Sequence, residues 1–316
     1  MRTRKQMLPL VGAMTTLLIL FAVIVPNFLN PENMLDLVQQ ISVNAILAFG
    51  MTLVILIGGI DLSVGALVAL VGTTTVYILT KGPVESQNLW WLGFAMLAGL
   101  GVAAGFGAFN GVCASKTKMP PFIITLAVML IARGCALRFN QGRPMHIPDY
   151  QKVFLFLGNG RLFGTVPVPV IIMLTLFALT TLLLHRTRFG QYLYAMGGNR
   201  QAARFTGIAL GRIEILVYIV CSSLAGIAGM IHTSQLYSAE PASGVMFELN
   251  AIAAAVVGGT SFTGGRGSMY GTLIGAIIIG ILDKGLNQAG VHFSLQYIVK
   301  GLVILSAVYI DARRRD

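Results

Sequence analysis

The chain has 316 residues and a formal net charge of +11, and 56% of its residues are hydrophobic while only 10% are charged. Soluble domains carry about 25% charged residues, so this chain has too few charges to cover a water-exposed surface. Its long unbroken apolar runs also exclude an outer-membrane barrel, whose short strands alternate apolar and polar residues. The composition therefore predicts an all-α polytopic membrane protein embedded in a lipid bilayer.

The excess of Lys and Arg has an ordinary explanation in a membrane protein, because cytoplasmic loops collect these residues. No basic stripe with interleaved aromatic residues stands outside the apolar segments, so nucleic acid is not predicted as a partner. The three cysteines, Cys113, Cys135 and Cys221, lack the spacing of metal ligands, and we expect them to be buried packing residues. Neither a metal site nor a cofactor is predicted.

Ten apolar runs predict about ten transmembrane helices in a single domain over residues 1–316. The runs are Leu8–Val25, Ile41–Ile57, Leu62–Leu79, Leu89–Ala114, Pro121–Leu137, Val166–Leu184, Ile213–Ser234, Leu249–Thr260, Ser268–Leu282 and Leu295–Ile310. The first is interpreted as an uncleaved span, because no small-residue cleavage site follows it. The runs at 41–57, 249–260 and 268–282 are shorter than the roughly 20 residues of a straight span and adjoin glycine-rich stretches, so discontinuous helices are predicted there.

The distribution of charges predicts the orientation. With ten spans, one side of the membrane holds Arg2, Arg4, Lys5, Lys116, Lys118, Arg186, Arg188, Arg200, Arg204, Arg212, Arg266 and Arg313 to Arg315. The opposite side holds the acidic residues Glu32, Asp36, Glu85, Asp149 and Glu240, with few bases. Because basic loops stay inside, both termini are expected in the cytoplasm.

No enzyme motif is present. The sequence lacks a G-x-x-x-x-G-K-[ST] phosphate loop, an H-E-x-x-H pair and a G-x-S-x-G elbow. The four histidines share no local ligand motif. The chain is therefore predicted to be neither an enzyme nor an ATPase.

The stretch GGIDLSVG, Gly58–Gly65, places a carboxylate among apolar residues. A charge there is costly in lipid and in a protein core, so it must be satisfied or used. Gly58 and Gly59 lower the cost of leaving a helix, and Asp61 suits the N-cap of a helix that restarts at Leu62. In the second interpretation, Asp61 or Ser63 faces a polar permeation path. The two interpretations are compatible, and capping is favoured.

Two glycine patterns predict close helix packing. Gly267, Gly271 and Gly275 stand four residues apart and would share one helix face. The pattern recurs at Gly101–Gly105 and Gly107–Gly111. A dimer interface is the less favoured interpretation.

The loop at 185–212 contains five arginines and no acidic residue. Asn199 can cap a short helix with the sequence RQAARFTG, and Gly207 can end it. The segment is either a plain basic inner loop or a surface helix that docks on a cytoplasmic partner. The ordered pattern favours docking.

Neutral polar residues are scattered in the apolar runs, and most such groups simply join helices. They would also suit a neutral, polyhydroxylated solute. The candidates for a substrate path are Asn44, Asp61, Ser63, Asn110, Glu248, Asn250, Thr260 and Ser261. Charged residues in the runs are sparse, which argues for an external energy source rather than ion coupling.

Three segments together carry a resemblance to a known family. They read ISVNAILAFGMTLVILIGGIDLSVGALVAL, RTRFGQYLYAMGGNRQAARFTGI and ELNAIAAAVVGGTSFTGGRGSMYGTLIGA. The chain resembles, from about Leu37 to Ile310, the permease subunits of bacterial ABC importers for monosaccharides. The resemblance implies a type-II-like ABC permease fold in the inner membrane. It also implies a second permease copy, a cytoplasmic ABC ATPase subunit and a periplasmic sugar-binding protein.

The resemblance also assigns roles to residues of the matching motifs. Gly197, Gly198, Asn199, Ala202, Ala203 and Gly207 match the loop that meets the ATPase. Gly59, Asp61, Ser63 and Gly65 match the family signature in the membrane core. The implied function is alternating access for a monosaccharide, with ribose expected first. Alternatives are an ABC permease for another aldose, autoinducer-2 or a nucleoside, and an ion-coupled secondary carrier.

Overall fold

The computed structural model describes the backbone of residues 2–82 and 88–313, and the side chains of 8–82, 88–309 and 313. Glu85, Arg314 and Arg315, which entered the orientation argument, lie outside the described residues. Within these residues the chain forms thirteen α helices and two short antiparallel strand pairs. The helices are α1 (Arg2–Ile24), α2 (Pro31–Leu56), α3 (Val64–Thr80), α4 (Leu89–Lys116), α5 (Pro121–Arg138), α6 (Lys152–Asn159), α7 (Val168–Arg186), α8 (Arg188–Gly198), α9 (Arg200–Phe205), α10 (Leu210–Gln235), α11 (Phe247–Val257), α12 (Met269–Gln288) and α13 (Phe293–Arg313). The strands are β1 (Met145–His146) with β4 (Ser238–Ala239), and β2 (Arg161–Leu162) with β3 (Val166–Pro167).

Each predicted apolar run lies on a different helix, which confirms the all-α membrane class. Six helical segments are long and apolar enough to cross a bilayer, namely Pro31–Leu56, Leu89–Lys116, Pro121–Gly142, Val168–Arg186, Leu210–Gln235 and Met269–Gln288. Four shorter apolar helices accompany them, at Leu8–Ile24, Val64–Thr80, Phe247–Val257 and Phe293–Tyr309. The number of crossings therefore stays a prediction.

Helices α2 and α10 form the centre of the molecule. Helix α2 packs against α7, α10, α11 and α12, and α10 packs against α3 and α4. Apolar side chains from the second half of α2, including Phe49 and Leu53, are fully buried. A buried hydrogen bond of 2.7 Å between the hydroxyls of Thr52 and Thr272 joins α2 to α12.

Glycine-containing turns adjoin all three predicted short spans, but two of these runs belong to longer continuous helices. Helix α2 extends the 41–57 run back to Pro31, with the Asn30 side chain accepting from the Glu32 N–H. Its polar first turns find partners, since Gln39 donates to the Gly158 carbonyl at 2.8 Å. Helix α12 likewise continues to Gln288, whose amide bonds Asn33 at 2.7 Å. Only the 249–260 run is a short helix, α11.

The cysteine prediction was correct for Cys221, which is buried, and wrong for Cys135, which is exposed; Cys113 is intermediate. Cys135 lies on the outward face of α5, beside exposed apolar side chains such as Leu130 and Ile131. That face meets the surroundings of the chain rather than its core.

Helices α2 and α11 end in the same way. At the end of α2, the N–H of Gly58 bonds the Ile55 carbonyl and the N–H of Gly59 bonds the Val54 carbonyl. At the end of α11, the N–H of Gly259 bonds the Val256 carbonyl and the N–H of Thr260 bonds the Ala255 carbonyl, in the same pattern. Gly58 and Gly259 have φ of 79° and 90°, the left-handed conformation that favours glycine. Each helix therefore ends in a C-terminal cap with a left-handed glycine.

Candidate functional site

Asp61 lies in the break between α2 and α3 and is fully buried. Its carboxylate accepts hydrogen bonds from the Ser63 N–H at 2.9 Å and the Ser63 hydroxyl at 2.5 Å. Ser63 Oγ in turn accepts from the Asn110 amide of α4 at 3.0 Å. Helix α3 begins at Val64, and Ser63 occupies the cap position without a side-chain cap bond. The predicted N-cap at Asp61 with a restart at Leu62 was therefore wrong, because the cap position is Ser63 and Asp61, two residues earlier, closes the turn that precedes the helix.

The Asp61 turn packs against α4, α5 and α10. Thr125 of α5 donates to the carbonyl of Ile60 at 3.1 Å. The Tyr218 hydroxyl of α10 lies beside Gly59, where a Cβ would approach it to 2.8 Å. Asp61, Ser63 and Asn110 are each 0% exposed, so none of them lines an open surface in this conformation. The three candidates thus hold the irregular backbone in place.

Helices α3 and α11 begin next to each other. A Cβ on Gly65 would collide with the Gly244 carbonyl and with the carboxylate of Glu248, in the first turn of α11. Helix α3 also packs closely on α10, where a Cβ on Gly229 would collide with the backbone of Val68. Helix α11 has 11 residues, which corresponds to about 16 Å, roughly half the bilayer core. The two helix starts therefore meet inside the membrane domain.

The other residues predicted to line a substrate path do not form one cluster in the structure. Glu248 is partly exposed and Asn250 is 8% exposed, and both lie on α11 near the meeting of the two helix starts. Thr260 and Ser261 lie in the turn between α11 and α12, where Ser261 N–H bonds the Arg266 carbonyl at 2.9 Å. Asn44 lies apart, on α2.

Arg133 of α5 joins the Glu248 group, and sequence reasoning missed it. Its Nη1 donates to the carbonyls of Pro241 and Ser243, at 2.8 and 2.5 Å, in the segment that leads into α11. It also attracts Glu248 electrostatically. The signal was present, since Arg133 is a basic residue inside the apolar run 121–137.

The loop at 185–212 folds as predicted into helical pieces. Asn199 Oδ1 accepts from the Ala202 N–H at 2.9 Å and caps α9, and Gly207, with φ of 82°, follows its end. Within α9, Ala203 is 4% exposed and turned inward, whereas Phe205 is 90% exposed. Sequence reasoning named Ala203 and missed Phe205, because the direction of a six-residue helix depends on what it packs against.

Helix α8 ends against both glycine-capped turns. A Cβ on Gly197 would collide with the Leu56 carbonyl and the Gly265 N–H. The Gly265 N–H itself donates to the Leu56 carbonyl at 2.9 Å. A Cβ on Gly264 would approach the same carbonyl to 2.7 Å. We call Leu56, Gly197, Gly264 and Gly265 the glycine junction, because three chain segments touch there backbone to backbone.

Tyr194 fastens α8 to the turn between α11 and α12. Its hydroxyl donates to the Gly267 carbonyl at 2.8 Å. Burial raises the pKa of Tyr194 to about 12, so the hydroxyl keeps its proton and stays a donor at physiological pH. The α8 helix and this turn are thus held together by a bond that does not titrate there.

The predicted helix face of three glycines needs a correction, since Gly267 precedes α12, which begins at Met269. Gly271 and Gly275 do pack closely, on the backbone of α11 at Gly258 and Ala254. Of the second pattern, Gly107 and Gly111 pack on α10, but added Cβ atoms on Gly101 and Gly105 would meet no described atom within 4 Å. Only the inward halves of the patterns serve packing within this chain.

An ion pair joins α9 to α10. Arg200 Nη2 lies 2.6 Å from Oε2 of Glu214, whose side chain is 3% exposed. We expect Arg200→Gln to lower stability by about 3 kcal/mol at most, since it leaves a buried carboxylate without its cation. Thermal unfolding of the purified protein would measure this loss, and Arg200→Gln combined with Glu214→Gln should recover most of it. An equal loss in the single and double variants would contradict the role of the pair.

The chain is similar in sequence to known transport proteins. The family model described as branched-chain amino acid transport system / permease component matches residues 33–308. The chain is 44% identical to the ribose import permease protein RbsC of Escherichia coli (strain K12), over 96% of this chain and 92% of that protein. It is 43% identical to RbsC of Bacillus subtilis (strain 168), over 94% and 90%, and 37% identical to the D-allose transport system permease protein AlsC of Escherichia coli (strain K12), over 90% and 84%. No solved structure matches the chain.

Proposed function

The chain belongs to this family of transport permease components, and from that premise we propose that it is the membrane-spanning permease subunit of a bacterial ABC importer for ribose. The observation that carries the proposal is the 44% identity to a ribose import permease over 96% of the chain. The relative named for D-allose is less similar, at 37% identity. Like its relatives, the chain is a transport subunit that relies on a partner for ATP hydrolysis.

The proposal includes the arrangement in the inner membrane. Ten helices cross or enter the bilayer in a type-II-like ABC permease fold, with both termini in the cytoplasm. The basic loops on the side of α8 and α9 support this orientation through the positive-inside rule. A second copy pairs with the chain around one path, an ABC ATPase docks on the cytoplasmic side, and a periplasmic protein delivers the sugar.

The glycine junction supplies the coupling step of this proposal. The ATPase docks on α8 and α9, and its movement reaches the membrane domain where Gly197 touches Leu56 and Gly265. These two contact points are the end of α2 and the turn that precedes α12. Because α3 and α11 adjoin them, a shift there moves the two helix starts that meet inside the membrane domain. That movement closes the substrate path on one side of the membrane and opens it on the other.

Phe205 is expected to be an anchor for the ATPase. An aromatic side chain that is 90% exposed on a cytoplasmic helix suits a pocket on a partner protein. We expect Phe205→Ala to weaken co-purification of the ATPase at least tenfold while the permease keeps its folded yield. The matched control is Gln201→Ala, an exposed change on the same helix. Undiminished co-purification of Phe205→Ala would contradict the anchor.

The proposed function is tested by uptake of radiolabelled ribose into proteoliposomes. The chain is reconstituted alone and with its ATPase and binding protein, with and without ATP. Uptake that requires all components and ATP is the expected result. Uptake by the chain alone under an ion gradient would make it a secondary carrier. ATPase assembly without ribose uptake would keep the transporter class and assign a different solute, such as another aldose, autoinducer-2 or a nucleoside.

A further inference from the structure

Arg133 holds the irregular segment that leads into α11. Its two hydrogen bonds from Nη1 end on the carbonyls of Pro241 and Ser243. The same segment contains Gly244 and Met246, with φ of 74° and 70°, so its backbone is bent twice in the left-handed sense. Arg133 therefore fixes the place where α11 starts. Its Nε and Nη2 donors make no hydrogen bond to the described residues, so they are free for another partner.

Glu248, in the first turn of α11, lies near Arg133. The two groups attract each other, yet the described residues show no direct ion pair between them within 4.0 Å. The Glu248 carboxylate lies against Gly65 at the start of α3, and Glu248 is partly exposed, as is Arg133. Neither side chain therefore uses the other as a direct partner, and each keeps an exposed part.

The exposed sides of the two residues indicate a polar surface. Arg133 lies in the middle of a segment apolar enough to cross the bilayer, Pro121–Gly142. Ionisable groups at that depth face other protein or a water-filled path rather than lipid, because lipid cannot solvate them. The pair carries no net charge, so an anion would be repelled by Glu248 and a cation by Arg133. A neutral ligand with several hydroxyls suits both groups at once.

We propose that Arg133 and Glu248 form a contact site for a neutral sugar at the meeting point of α3 and α11. Arg133 donates to a sugar oxygen, and Glu248 accepts from a sugar hydroxyl, so that one molecule bridges the gap between them. The carboxylate lies in the first turn of α11 and against the first turn of α3, so both helix starts adjoin it. This inference rests on the proposed function and names the residues that touch its substrate.

The test compares ribose with 2-deoxyribose in ATP-driven uptake by the full transporter. Each variant receives the same binding protein, saturated with either sugar, and uptake is expressed per folded, ATPase-bound transporter. We expect Arg133→Gln and Glu248→Ala, which removes the acceptor, to lower ribose uptake at least tenfold and to change the ribose to 2-deoxyribose ratio at least threefold. The matched controls are Arg138→Gln on the exposed end of α5 and Glu240→Ala, which should both behave as wild type. Arg133→Lys replaces Arg133→Gln if the latter does not accumulate.

Three results would decide against the inference. Uptake within twofold of wild type and an unchanged sugar ratio in both variants would overturn it. A loss in the Arg133 variants with Glu248→Ala unaffected would also overturn it, since Arg133 would then only position the segment before α11. Failure of the wild-type transporter to take up either sugar would overturn the proposed function itself, and the site with it.

Discussion

Gly197→Ala is expected to reduce ATP-driven uptake at least tenfold. The new Cβ would collide with the Leu56 carbonyl and the Gly265 N–H, and these backbone atoms cannot turn aside as a flexible side chain could. Alanine is otherwise favoured over glycine within a helix such as α8, so any loss comes from the contact and not from helix propensity. The measurement is ribose uptake in proteoliposomes together with co-purification of the ATPase.

Gly93→Ala is the control, because a Cβ at this position within α4 also meets no described atom within 4 Å and the residue lies outside the docking loop. We expect this variant to transport at the wild-type rate. If the two alanine variants behaved alike, the glycine junction would have no part in coupling. A loss of ATPase binding in Gly197→Ala alone would move the defect from the junction to the docking surface.

Asp61→Ala is expected to lower the yield of folded protein severely. Without the carboxylate, the Ser63 N–H and hydroxyl lose their acceptor in a fully buried position. Each unsatisfied buried group costs about 1–3 kcal/mol, and the Asn110 amide depends on the same Ser63 hydroxyl for its partner. The measurement is the monodisperse fraction after detergent extraction, with the apparent Tm of what remains.

Asp61→Asn separates hydrogen bonding from charge. Its amide oxygen can accept both Ser63 bonds, so the variant should fold at a yield close to that of wild type. Normal yield with lost transport would show that the carboxyl group itself takes part in transport. A yield as low as that of Asp61→Ala would mean that Ser63 is not what the carboxylate serves.

Local signals predicted the local structure well. The Asn199 cap and the Gly207 end of α9 involve residues only a few positions apart, so their pattern carries the geometry. The same holds for the exit from α2 at Gly58. Apolar runs located the helices, because backbone that crosses a bilayer must satisfy its own hydrogen bonds and a helix does so.

Long-range partners explain what the sequence left open. The predicted run at 41–57 did not include the polar first turns of α2. In the structure these turns are helical, and Gln39 donates to the carbonyl of Gly158, which is 119 residues away. The sequence around Asp61 suggested only a local cap. It could not show that Ser63, which bonds Asp61, also accepts from Asn110, 47 residues further along the chain. The sides on which Ala203 and Phe205 lie depend on the packing of α9 against the rest of the protein, which no six-residue pattern encodes.

The contacts around the glycine junction form a closed ring. One arm runs from Leu56 through the Asp61 turn to Gly65, and the other runs from Gly265 back along α11 to Glu248. The arms touch at both ends, at the glycine junction and at the meeting of α3 with α11. In the proposed coupling, the ring offers two routes for the movement, so we expect combined changes in both arms to exceed the sum of the single ones. The shared end at Gly197 has no such reserve.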